Sequence, residues 1–491
     1  MPPLGADDNM LFALTRPECQ FCFALREIIS LSEFLRGKTM IFGVKGLTQL
    51  NPFSFAVILA ILIPVLSPAA DSPAPAQPMP AQTATPQPGN VLTLDEAIQI
   101  ALENHPSIRA SKERIDTQEA VVGQQMAAYY PQVNMTNGFQ SGSQTGSTTG
   151  VADRSFETYL IRAGVNMTLY NFGKREGTVQ SARDTLDVTN FNYKTTVDGV
   201  ILGVKQSYFT YLGLRAIVKV REETVKSRQL LARQAQGFYD VGTRARIDVA
   251  RAESNLYLSE ADLITAQNAV KVAWAILKNA MGVRDLPERP LVEDVTMTPI
   301  PYTLDQAKEI AFGSRPELKS FDSQRRAQDQ LIAVARRGHL PDLIFDANYR
   351  RSNSSIAENT FPLLGGWQVG LSLLIPIFDG FRTTNRVQET LHTYYVIKSQ
   401  EELQRQQVAL DVEQAYLRLV ELLERIKANE AAANAAKENL DLANGRYEVG
   451  VGSIIEATDA QNLYTDAQTT YIRTLYDYKI AEAALVRAIG Q

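Results

Sequence analysis

Between residues 132 and 140 the chain alternates: Val133, Met135 and Phe139 interleave with Gln132, Asn134, Thr136 and Gln140. The two-residue period returns at 159–169, where Tyr159, Ile161, Ala163, Val165, Met167 and Leu169 interleave with Arg162, Asn166 and Thr168. It appears twice more, as Leu343, Phe345, Ala347 and Tyr349 against Asp346, Asn348 and Arg350, and as Trp367, Val369, Leu371 and Leu373 against Gln368 and Ser372. Period two sends successive side chains to opposite faces, so the pattern predicts four strands, each with one apolar and one polar face. A soluble sandwich would satisfy the same alternation. Two features favour membrane strands instead. Each run is about ten residues, the length of a tilted bilayer crossing. Tyr129, Tyr130, Tyr170, Phe172, Phe378 and Phe381 gather at run ends, where barrel strands carry interfacial aromatics.

The rest of the pattern is helical. Thr93 to Glu103 and Pro106 to Ala128 predict two helices ahead of the first strand pair. No proline occurs from Lys174 to Tyr239 or from Phe381 to Tyr447, which predicts two unbroken helices of roughly 66 residues and ~100 Å each. Helices that long cannot sit inside one compact domain. They stop at Val241-Gly242 and Val449-Gly450, where glycine lets the chain reverse. In the second returning helix Ala457, Ala460, Tyr464, Ala467, Tyr471, Leu475, Tyr478, Ala481, Leu485 and Ala488 form a stripe at three-or-four spacing, read as a coiled-coil packing face.

The chain says this twice. LTLDEAIQIA at 92–101 recurs as YTLDQAKEIA at 302–311, and YDVGTRARIDVARA at 239–252 recurs as YEVGVGSIIEATDA at 447–460. Ala280-Met281-Gly282 likewise matches Ala488-Ile489-Gly490. The offsets, 210 and then 208, far exceed a solenoid period and mark a duplicated domain. The copies span 91–282 and 302–490, with 283–301 as linker.

Upstream, Lys45, the apolar stretch Phe53 to Leu66 and the small residues Ser67-Pro68-Ala69-Ala70 read as a secretory signal peptide over 40–70. Residues 1–39 are then an upstream extension, untranslated if Met40 is the start. Six prolines between Asp71 and Asn90 predict a disordered leader over 71–90. Net charge of −5 argues against nucleic acid as a partner. The two cysteines, Cys19 and Cys22, both precede residue 40, a weak metal signal without a second pair. His105, His339 and His392 are scattered without repeated carboxylate or thiol partners, so no enzyme, metal site or cofactor is expected.

Four strands cannot close a barrel, and an open edge in lipid leaves backbone groups unpaired at several kcal/mol each. Several chains must therefore share one barrel, with at least eight strands between them. Over 91–490 the chain resembles the TolC-like outer membrane efflux protein family. The resemblance rests on the duplicated layout, on the strand-to-helix junctions LYNFGKR (169–175) and PIFDGFR (376–382), and on YEVGVGSIIEATDAQNLY (447–464). It implies a mainly α fold with membrane β, built as a duplicated helix–strand–strand–long helix–helix repeat. It also implies a homotrimer whose twelve-stranded β-barrel continues as a twelve-helix α-barrel in the periplasm. The implied function is a passive channel-tunnel in the outer-membrane lipid, serving efflux or type I secretion through a periplasmic adaptor and an inner-membrane transporter.

The resemblance also assigns site residues. Its paired acids fall on Glu456 and Asp459, three apart on one helical face, and three copies would ring the narrow aperture with carboxylates that attract cations. Asp248 and Tyr447 are the expected link between the two hairpins. Val241, Gly242, Val449 and Gly450 are the turns expected to meet the adaptor. A second family link uses an arginine where this chain has Gly452, opposite Ile247, leaving Arg244 or Arg246 to replace it. The alternative is a periplasmic coiled-coil adaptor without a membrane barrel, which would lack the four alternating strands.

Overall fold

The structure, a computed structural model, describes residues 91–144, 154–293, 296–297, 301–356, 359–360 and 364–491. The expected extension, signal peptide and leader over 1–90, and part of the 283–301 linker, lie outside the described residues. In chain order the elements are α1 (Leu94–Asn104), α2 (Pro106–Met126), β1 (Gln132–Gln144), β2 (Arg154–Tyr170), α3 (Lys174–Asp240) and α4 (Arg246–Ala280). The second copy gives α5 (Leu304–Ser314), α6 (Pro316–Arg336), β3 (Asp342–Ile356), a two-residue β4 (Asn359–Thr360), β5 (Leu364–Leu374), α7 (Arg382–Glu448) and α8 (Ile454–Ile489).

Local chemistry explains the helix boundaries. The Thr93 hydroxyl accepts from the Glu96 amide at 3.1 Å, and Thr303 forms a reciprocal capping box with Gln306, satisfying amides that have no partner within the first helical turn. Pro106 and Pro316 then start α2 and α6, where their missing N–H costs nothing and the preceding residue is held extended. The long helices α3 and α7 are 67 residues each, within a residue of the expected bounds.

Each copy ends on a glycine that packs against the start of its own second helix. Gly282 has φ +72°, and a Cβ there would lie 2.6 Å from His105 Cα; Gly490 has φ +79° and sits against the Arg315 amide. Two equatorial cores follow the duplication. Ala97, Ala101, Val204, Leu277 and Met281 in the first correspond to Ala307, Ala311, Val412, Leu485 and Ile489 in the second. Part of the expected linker is folded: Leu291 bridges Leu92, whose carbonyl accepts from the Tyr208 hydroxyl at 3.1 Å.

The sheet is antiparallel in the order β1-β2-β3-β5, with β4 paired to the end of β3. Register carries the two faces across all four long strands. Val133, Val165, Ala347 and Val369 form one continuous row, and Asn134, Gly164, Asn348 and Gln368 form the neighbouring row on the other face. The strands are 13, 17, 15 and 11 residues, longer than the expected ten for three of them. Alternation ends before the pairing does, because the added residues are Ser-, Gly- and Arg-rich. The sandwich reading fails on exposure: Met135 is 74%, Leu371 68% and Trp367 79% exposed, whereas a sandwich would bury that face. Both sheet edges, β1 and β5, are unpaired among the described residues.

The strand-to-helix junctions are fastened by side chains. Phe172 and Gly173, and in the second copy Gly380 and Phe381, adopt left-handed backbone, which turns each strand sharply into its helix. Arg175 donates to the carbonyls of Thr168 and Ala128 and lies 4.0 Å over the Tyr129 ring. Lys174 donates to the Leu340 carbonyl and to Asp342 at 3.0 Å, tying the first long helix to the second strand pair.

Candidate functional site

The sequence-assigned residues converge at the far ends of the long helices. Each hairpin reverses through a glycine in left-handed conformation, Gly242 at φ +76° and Gly450 at φ +82°. Both turns recover helix-end carbonyls in the same way. Thr243 N–H donates to the Phe238 carbonyl at 2.9 Å, and Val451 N–H donates to the Arg446 carbonyl at 3.0 Å. Val241 and Val449 project into solvent at the two tips.

A small core joins the two hairpins. Leu231 and Ala235 of α3, Val249 and Ala252 of α4, Tyr447 of α7, and Ile454 and Ala457 of α8 pack together. Tyr447 is fully buried and meets Phe238 edge-on at 5.6 Å. Burial first and the Asp248 carboxylate second push its hydroxyl above the ordinary tyrosine range, with Arg244 opposing. The structure thus brings Asp248 and Tyr447 within electrostatic reach, yet the Tyr447 hydroxyl makes no hydrogen bond with the described residues. Ring packing, not the hydroxyl, holds this joint.

Arg244 crosses the same joint. Its Nη2 donates to the Gly450 carbonyl at 2.9 Å and to the Gly452 carbonyl at 2.6 Å, and its guanidinium carbon lies 5.9 Å from the Tyr447 ring centroid. Ile247 is exposed.

The acidic pair lies on the exposed face of α8. Ser453 caps this helix by accepting from the Glu456 amide at 3.1 Å, and Glu456 in the first turn complements the helix dipole. Sequence reading missed that each acid has a cation beside it. Arg446 Nε approaches Glu456 Oε1 at 3.1 Å. Asp459 supports the charge on Arg228, whose pKa is lowered by burial and raised by that carboxylate. Arg228 is buried on α3 and donates across the joint to the Thr458 carbonyl and to Asn462 Oδ1. Its neighbours Thr224 and Ser227 contact Thr465 and Gln461, so a polar ladder runs along the α3–α8 seam. The one sequence signal for it is a set of polar residues at three-or-four spacing within an otherwise apolar stripe. Among the described residues no group of three or more His, Cys, Asp or Glu converges as a metal site, and no helix is long and apolar enough to cross a membrane.

A sheet with an exposed apolar face passes directly into helical hairpins ~100 Å long, an architecture that joins antiparallel strands to long paired helices. The chain belongs to the outer membrane efflux protein family, whose model matches residues 97–283 and 309–491. It is accordingly an outer-membrane protein of a family of channels, and the adaptor alternative falls. Among its relatives, TolC of Vibrio cholerae is 25% identical over 406 residues, covering 81% of this chain and 90% of that protein. The protein CyaE of Bordetella pertussis is 26% identical over 424 residues, covering 82% and 84%. The crystal structure of CusC matches with a TM-score of 0.70 at 19% identity, over 81% of this chain and 92% of that one.

Proposed function

We propose that three copies of this chain close into one twelve-stranded barrel and one twelve-helix conduit. The assembly gives passive exit through the outer membrane to cargo delivered by an inner-membrane transporter and a periplasmic adaptor. The observation that supports this most is that both layers of the protomer have free edges suited to each other. In the sheet, β1 and β5 are unpaired outer strands among the described residues. In the helical layer α4 packs on α3, α3 on α8 and α8 on α7, so α4 and α7 are outermost.

Both outer helices carry exposed apolar stripes. On α7, Val396, Leu403, Leu410 and Leu417 recur every seven residues; on α4, Tyr257, Ile264, Val272 and Ile276 line one side. Heptad spacing of exposed apolar residues calls for a partner helix. Joining α7 of one copy to α4 of the next, and β5 to β1, covers both stripes and pairs both strand edges. The four long strands among the described residues are too few for a closed monomer, and heterologous contacts of this kind generate rings. In that ring the polar sheet face, with Asn134, Arg162, Asp346 and Asn348, lines the lumen.

At the tips, Glu456 and Asp459 face the narrow end of the duct, the Tyr447 ring packed on Phe238 with Asp248 nearby joins the two hairpins, and Val241, Gly242, Val449 and Gly450 meet the adaptor. Mass measurement of the detergent-solubilised protein should give three copies, and the same particle should conduct in a planar bilayer. A stable, conducting monomer would refute the assembly.

A further inference from the structure

Register sets two arginines side by side on the two central strands of the sheet. Arg162 of β2 is the direct cross-strand partner of Arg350 of β3, and their row continues to Thr136 on β1 and Gly366 on β5. Each stands two residues from the row of Asn134, Gly164, Asn348 and Gln368, and so shares its polar face. Like charges directly opposite each other destabilise a strand pair, and neither guanidinium forms an ion pair among the described residues. Arg162 is nonetheless held in a set orientation. Asn348 Oδ1 accepts from its Nε at 3.2 Å and from its Nη2 at 3.0 Å, while Asn348 Nδ2 donates to Asp346 at 3.4 Å. The amide of Asn348 can lie there because its cross-strand partner is glycine: a Cβ on Gly164 would be 2.6 Å from Asn348 Oδ1.

We propose that Arg162 and Arg350 form an anion-binding belt inside the barrel, taking soluble multivalent oxyanions such as phosphate chains. The proposal rests on the trimeric barrel with its polar sheet face inward, and adds the sign and chemical class of what that lumen holds. Both side chains border a groove of about 460 Å3, shared with Ser352, Gly366 and Gln368, and a Cβ on Gly366 would meet nothing within 4 Å. The clamp on Nε and Nη2 leaves Arg162 Nη1 free to donate, and Arg350 keeps its whole fork. Guanidinium forks match carboxylate and phosphate oxygens two at a time. Neighbouring strands stand about 4.8 Å apart, so one anion with several oxygens can engage both arginines and relieve their repulsion.

In the trimer three such pairs stand at one level of the barrel, facing water and not lipid. Asp346 is the nearest acid on that face, and it is turned to Asn348. The duct then carries opposite signs at its two ends, carboxylates at the tips and guanidiniums in the barrel. Such a duct is blocked by multivalent anions from the barrel side more readily than from the tip side.

Single-channel recording of the full-length oligomer, with tripolyphosphate added to one chamber at a time, tests this. Added on the barrel side it should reduce wild-type current, and it should act more weakly from the tip side. Arg162→Gln or Arg350→Gln should each raise the blocking concentration about tenfold, the factor expected for losing a hydrogen bond to a charged group. The double variant should raise it about a hundredfold if the two losses add. Asn348→Ala keeps both charges and releases only the clamp, so it should raise the concentration about threefold, the cost of ordering one more side chain. If the double variant does not assemble, the single variants decide. Equal block of wild type and both single variants, or stronger block from the tip side, overturns the belt and leaves the channel standing. A wild-type oligomer that carries no unit current overturns the channel reading on which the belt rests.

Discussion

Removing Arg446 should strengthen block of this channel by divalent cations, although the residue looks like an ordinary surface arginine. It lies 3.1 Å from Glu456, with the two side chains 57% and 43% exposed, so it masks one of the two acids proposed to face the aperture. A divalent ion held about 7 Å from a unit charge in water gains ~1.2 kcal/mol, which salt at a Debye length near 10 Å cuts to ~0.6 kcal/mol. Three copies bring this to ~1.8 kcal/mol, a change of about 20-fold in blocking affinity. Arg446→Gln should therefore lower the blocking concentration of a divalent cation by roughly that factor, and Glu456→Gln should raise it. The double variant, neutral for neutral, should return close to wild type, giving a double-mutant cycle with opposite-signed arms. Asp459→Asn should weaken block like Glu456→Gln. The assay is single-channel current against cation concentration at fixed ionic strength. Arms of the same sign, or an Arg446→Gln channel blocked like wild type, would move this face of α8 off the conduction path.

Gly282→Ala should be far more damaging than Gly242→Ala, although both glycines have positive φ. The first adds a backbone collision at 2.6 Å to the left-handed strain, whereas the second meets nothing within 4 Å; costs of roughly 2–4 against roughly 1 kcal/mol should appear in the heat-dissociation midpoint of the oligomer. Tyr447→Phe should leave that midpoint unchanged or higher, because it deletes a buried hydroxyl without a hydrogen bond and keeps the ring on Phe238; a clear drop would show that the hydroxyl bonds Asp248 after all. Asp198 is raised above its ordinary 3.8 by burial and then by Glu317, so the native state binds its proton more tightly than the unfolded state does. Stability from this group is complete below 3.8 and is lost as pH rises through the raised value. Asp198→Asn should thus raise the midpoint at pH 7 and not below pH 3.8.

What could be read in advance was what is local. The ends of α3 and α7 were legible because an absent proline and a terminal Val-Gly act on adjacent residues. Strand faces were legible because Val133 and Trp367 belong to period-two runs. The pairing of β2 with β3 was not, since it joins Asn166 to Asp346 across a whole copy and depends on where two long helices return the chain. The Arg446–Glu456 pair escaped for a different reason: it bridges a turn, and its contact depends on how that turn sets one helix against the next. The acceptors of Arg244 are main-chain carbonyls, which any residue supplies and no side-chain motif marks. The Asp248–Tyr447 pairing carried over from the family resemblance reached the right neighbourhood, but whether a hydroxyl finds its acceptor depends on ring placement against Phe238.

The two copies have diverged unevenly, and the pattern follows the mechanics. At the equator they keep the same parts: a threonine cap at 93 and 303, a proline at 106 and 316, and a closing glycine at 282 and 490. Those parts set the angle at which short helices brace the long ones, and both copies must brace alike for the proposed ring to close. Arg315 even strengthens the second brace: almost wholly buried, it reaches Asp411 at 3.1 Å and Glu317 at 3.3 Å, and Glu317 also binds Arg487. At the tips the copies differ. Tyr447 is fully buried where its counterpart Tyr239 is 40% exposed, and Arg244 stands where the second copy has Gly452. Two identical hairpins would have identical flanks and would repeat one contact around a six-hairpin ring. In the proposed trimer, unequal tips make the joint within a chain differ from the joint between chains, so the proposed aperture need not open like an iris of equal leaves. On the proposed assembly, the residues that differ between copies at the tip, and not the duplicated scaffold, are the ones placed to decide which joint holds.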